Sequence, residues 1–133
     1  MRHILFVLFA LFVVLSLTSV AGQKSEKKGK ETTITGEVVD VSCYLAHGSK
    51  GMGEGHSSCA EACAKAGGPL GIVTKNGKLY VSVLPDDHLA GPNAKLVDHV
   101  SHNVEATGIL RSQGGVNGIM ITKVEMTKST EKK

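Results

Sequence analysis

Along residues 33–45 apolar side chains fall on alternate positions, first at Ile34 and Val38 with Gly36 between them. They then resume on the opposite phase at Val39, Val41, Cys43 and Leu45. A period of two marks a strand with a buried face, so this stretch predicts a long first strand. The switch at Val38-Val39 is what a bulge or sharp coil does to a strand, and Gly36 would ease the bend. From Ala46 to Gly55 the pattern stops, and Gly48, Gly51, Gly53 and Gly55 predict a loop. His56 to Ala66 has helical composition: four alanines, with Glu61 and Lys65 one turn apart. Ser57 or Ser58 is a candidate cap, Glu61 follows Ser58 at capping-box spacing, and Gly67-Gly68-Pro69 ends the helix.

The remaining chain alternates again. Residues 70–75 and 78–84 flank Asn76-Gly77, the preferred pair for a type I′ hairpin turn. Pro85-Asp86-Asp87 closes the hairpin. Residues 92–102 predict a short helix, with Asn93 as its cap and Leu96, Val97 and Val100 on one side. Strands are predicted over 103–111 and 119–126, separated by a Gly/Asn/Ser-rich turn over 112–118. Five strands with a helix before the fourth give the order of an OB-like Greek-key barrel. The fold class expected is therefore mainly β. A Gly-rich loop and short helix (insert 43–68) are placed between strands 1 and 2, and a second short helix before strand 4. A five-stranded sandwich or an SH3-like barrel is the competing architecture.

The first 21 residues add a location. A short basic start, an apolar run from Ile4 and the small residues Ser19-Val20-Ala21 have the three regions of a secretory signal peptide. An uncleaved anchor is the rival reading. The run is marginal for a hydrocarbon core of ~30 Å, which needs about 20 residues. The expected place is periplasmic or secreted, with no membrane insertion after cleavage. Residues 22–32 read as a flexible lead-in, 33–126 as one domain and 127–133 as a polar tail. The net charge of +3 is small and much of it lies in lysines of the lead-in and tail. All three phenylalanines precede residue 21 and there is no tryptophan, so the core must be aliphatic. An exported OB-like domain with Tyr80 as the sole aromatic on strands 2 and 3 lacks the stacking platform that single-stranded nucleic acid needs.

The chain resembles a loose group of small exported bacterial proteins of unassigned function. The resemblance lies in Asp40-Val41-Ser42-Cys43-Tyr44, the Gly-rich loop, His56-Ser57-Ser58-Cys59-Ala60-Glu61-Ala62-Cys63 and Gly67-Gly68-Pro69. It implies an OB-like domain with an insert and brings no activity with it.

The insert holds all three cysteines. On a helix Cys59 and Cys63 share a face, His56 stands at the entrance, and Cys43 ends the first strand. If the loop folds back, Cys43, His56, Cys59 and Cys63 converge as a Cys3His set, which suits tetrahedral Zn, with Cu(I) as the alternative soft ion. A metal would also supply ordering energy to a Gly-rich insert. The opposing reading is a disulfide from Cys43 to Cys59 or Cys63, which leaves one thiol over. A thiol-redox role through Cys59, near a helix start, is the enzyme hypothesis, but no Cys-x-x-Cys is present. His99 and His102, with His88 or His47, form a weaker candidate metal cluster. No catalytic triad or acid pair stands out. The function expected is thus a small exported binding or structural module, partnered by a metal ion and by another exported or membrane protein.

Overall fold

The computed structural model describes residues 29–84 and 91–127. The expected signal segment, the turn at Pro85-Asp86-Asp87, His88 and residues 128–133 lie outside the described residues. Five strands form one mixed sheet that closes into a ring in the order β1-β2-β3-β5-β4. They are β1 (Glu31–Asp40), β2 (Leu70–Thr74), β3 (Leu79–Ser82), β4 (Asn103–Gln113) and β5 (Val116–Met126). Two α-helices, α1 (Val41–His47) and α2 (Ser57–Lys65), lie between β1 and β2, with 3-10 turns at Gly48–Gly51 and Glu54–His56. Among the described residues no helix is long and apolar enough to cross a membrane.

β1 is the strand that closes the ring. Its first part, Glu31 to Glu37, pairs antiparallel with β4, and Gly36 to Asp40 pairs antiparallel with β2. β3 meets β5 in parallel at Val81↔Gly118 and Ser82↔Ile119. Inside the ring lies one aliphatic cluster that includes Ile34, Val38, Leu70, Ile72, Val104 and Ile119. Ala60 and Ala64 of α2, and Leu96 and Val100 of the 91–102 segment, belong to the same cluster.

Three expectations are corrected. The first strand does not run to Leu45. It ends at Asp40, whose carboxylate accepts the Cys43 N–H at 2.6 Å, caps α1 and turns the chain into a helix. The phase switch at Val38-Val39 is no bulge. Val39 and Val41 are buried but lie outside the central cluster, so both faces of this stretch are covered. The register shift among the described strands lies instead at Thr107/Gly108, in the β4–β5 pairing.

The second correction concerns the helix expected over 92–102. These residues form turns and one short 3-10 segment, Val97–His99. The Asn93 side chain caps no helix. It donates to Gly68 O at 2.6 Å and accepts from Leu70 N at 3.1 Å, tying this segment to the end of the insert. Ser101, at φ 63, and an isolated bridge between Val38 and Val100 then lead the chain toward β4.

The third correction concerns turns. At Asn76-Gly77, Gly77 N donates to Thr74 O and Thr74 N to Lys78 O, at 2.8 and 3.0 Å. With Gly77 alone at positive φ (76°), this is a three-residue loop with a glycine bulge rather than a type I′ turn. The two-residue turn is at Gly114-Gly115, where both φ values are positive (57° and 82°) and Gln113 pairs with Val116. Two glycines there let β4 and β5 run farther than their apolar pattern, into 112–113 and 116–118.

Candidate metal centre

Two helices deliver the three thiols. Cys43 sits in the first turn of α1 and its backbone is pinned by the Asp40 cap. Cys59 and Cys63 lie one turn apart on α2. That helix packs its opposite residues, Ala60 and Ala64, into the ring's core, which leaves the cysteine face toward α1 and solvent. The predicted Ser caps are not used: Ser57 and Ser58 are already helical, and His56 occupies the cap position without a side-chain bond. The helix ends as foreseen. Gly67 N donates to Ala64 O at 3.0 Å and Gly68 N to Cys63 O at 2.8 Å, a Schellman closure with Gly67 at φ 90. Glu61 and Lys65 pair across one turn at 3.5 Å.

The sulfurs of Cys43, Cys59 and Cys63 all lie within 4.8 Å of one another, and the three cysteines are unbridged. Tetrahedral coordination with Zn–S near 2.3 Å places sulfurs about 3.8 Å apart. Closing from the observed spacing takes less than about 1 Å of side-chain adjustment. A disulfide demands a sulfur separation of about 2.05 Å. The cluster is therefore nearer to a metal-binding geometry than to a bridge. It is also open: Cys59 is exposed, and Cys43 and Cys63 are half-buried.

His56 is not in the three-sulfur group, but it stands one turn before Cys59 and its Nε2 is buried without a hydrogen-bond partner. A buried ring nitrogen without a partner has a free donor or acceptor site, and His56 is thereby a candidate fourth ligand. Among the described residues the cysteines form the sole group of three or more metal-capable side chains, so His47, His99 and His102 do not assemble a second centre. The His102 ring is within 2.9 Å of Val100 O instead.

Asp40, which the expected strand over 33–45 passed through without a role, is the residue that shapes the cluster. It is 1 % exposed, and its charge faces the cluster. Its hydrogen bond to the Cys43 side chain, then burial, then its charge and the neighbouring sulfurs push the Cys43 thiol up to about 12. Burial, followed by the Asp40 charge, also raises the Cys63 thiol. Carboxylate and sulfurs thus favour the protonated thiol at Cys43 and at Cys63; a cation bound among them would reverse that balance. Gly68 belongs to the same arrangement, because a Cβ there would meet Cys63 O at 2.9 Å and Asp40 Oδ2 at 3.2 Å. An Asp three residues before a Cys was the available signal for the cap. Nothing local could have announced Asn93, whose partners are 23 and 25 residues away.

The comparisons leave the site to its own geometry: no protein-family model, curated protein or solved structure matches the chain.

Proposed function

We propose that this protein is an exported single-domain module of OB-like Greek-key architecture that binds Zn through Cys43, Cys59, Cys63 and His56. The ring order, with β1 shared between β2 and β4 and with β3 parallel to β5, supports the OB-like reading. The apolar start and small-residue cleavage site support export. One observation carries the metal assignment: three cysteine sulfurs from two helices within 4.8 Å of one another. The orphaned Nε2 of His56 supplies the candidate fourth donor. Charge favours Zn over Cu(I). Three thiolates and Asp40 bring four negative charges, and a divalent ion offsets more of them than a monovalent one. The role is binding rather than catalysis, since four protein donors would leave no open position on the ion for substrate.

Metal analysis and a thiol count on the same sample test the proposal. Protein purified without chelator or reductant should carry one equivalent of metal, and acid release of that metal should expose three titratable thiols. Metal-free protein with a single titratable thiol would mean a disulfide and would refute it.

A further inference from the structure

We infer that the bound metal is exchangeable cargo, passed to and from an external thiol-bearing partner by ligand substitution at Cys59, rather than a staple that holds the insert folded. This rests on the metal-binding reading above. A structural metal supplies the folding energy of a segment that has little else to hold it. Here the ligand-bearing elements have their own anchors. Ala60 and Ala64 fix α2 to the core, the Schellman closure ends it, and Asn93 clamps Gly68 and Leu70 just beyond. Asp40 fixes the start of α1, and the Gly53 N–H donates to the Glu37 carboxylate of β1, holding the Gly-rich loop. The insert is thus held at both helices and at its loop by protein contacts.

Access is the second observation. None of the three cysteines is buried and Cys59 is exposed, so solvent and solutes reach the donor sulfurs. The crowding at the cysteines is on their backbone side, where a Cβ at Gly51 would meet Cys43 O at 2.6 Å and one at Gly68 would meet Cys63 O at 2.9 Å, while the Cys59 side chain faces solvent. A thiol from outside can reach the ion beside Cys59. In the exchange step the incoming thiol loses its proton as its sulfur bonds to the ion. The bond from the ion to Cys59 breaks, and the Cys59 sulfur takes up a proton. No electron moves, and the charge of the ion is unchanged. Repetition at Cys63 and Cys43, followed by a fourth donor of the partner bonding to the ion as its bond to the His56 nitrogen breaks, completes the transfer.

The test uses the zinc-loaded full chain, glutathione as the probe thiol and a chromophoric chelator as the sink. The rate of zinc transfer should double with each doubling of glutathione. Amide-exchange protection of Ala60 to Lys65 should persist after the zinc has left. A transfer rate independent of glutathione, or loss of that protection on zinc removal, overturns the inference while leaving a stoichiometric metal site standing. A chain that takes up no zinc at all overturns the metal reading and this inference with it.

Discussion

Replacing Asp40 tests how the site is built, because one carboxylate ends β1, caps α1 and fixes Cys43. In Asp40→Ala the Cys43 N–H loses its 2.6 Å acceptor, in a partly buried setting. Loss of an N-cap costs typically about 1 and at most about 2 kcal/mol. Hydrogen bonds to a charged acceptor contribute about 1.5–3 kcal/mol. These describe the same bond, so they are not summed; a loss of about 2 kcal/mol is expected. For a domain of this size that lowers Tm by roughly 8–16 °C. Asp40→Asn retains a capping oxygen and, as Asn and Asp cap about equally, should cost less than about 1 kcal/mol. Thermal unfolding of both variants in the metal-free state, followed by circular dichroism, reads the difference. If Asp40→Ala melts with the parent, the cap does not position α1. If Asp40→Asn falls as far as Asp40→Ala, the charge rather than the capping geometry is what matters. Because Cys43 loses its anchor, zinc affinity of Asp40→Ala should also drop about 10–100-fold, as for other groups that orient metal ligands.

Other consequences follow from the same structure. Asn93→Ala leaves Gly68 O and Leu70 N without their side-chain partner and should cost about 1–3 kcal/mol in urea unfolding, with amide protection lost first around Gly68. Leu70→Ala, at a fully buried core position, should cost about 2–5 kcal/mol by the same assay. The pH dependence has a definite sign. The Cys43 thiol ionises near 9.0 when unfolded but is pushed up to about 12 in the folded chain, so the folded state holds the extra proton between these values. Metal-free protein should therefore be stable below pH 9 and lose stability as pH rises toward 12, as chemical denaturation across that range would show. Zinc must displace the thiol protons, so its affinity should rise with pH and binding should release protons into a weakly buffered solution, measurable by calorimetry in two buffers.

The legible parts of the fold were those set by local pattern. Alternation placed all five strands, and alanine content with Gly67-Gly68 placed α2 and its end. The thiol cluster was legible because three cysteines in one insert leave few ways to converge. What escaped reading was decided by tertiary contact. Residues 41–47 carry apolar side chains on alternate positions like the strand before them, yet they are helical, with Asp40 as the cap. Leu96 and Val100 have helical spacing, yet Asn93 is drawn to the Gly68 and Leu70 backbone, and the segment pairs with Val38 instead. Asn76-Gly77 has the composition of a type I′ turn, but the extra Lys75 in the loop converts it to a glycine bulge. His56 was chosen by spacing alone. It lies outside the group of three sulfurs, with its Nε2 buried and without a hydrogen-bond partner.

X-ray absorption at the zinc edge of the purified, metal-loaded protein tests the coordination directly. The account predicts a shell of three sulfur scatterers near 2.3 Å and one nitrogen near 2.0–2.1 Å, with the nitrogen lost in His56→Ala and the sulfurs retained. A first shell made of oxygen and nitrogen alone would contradict it.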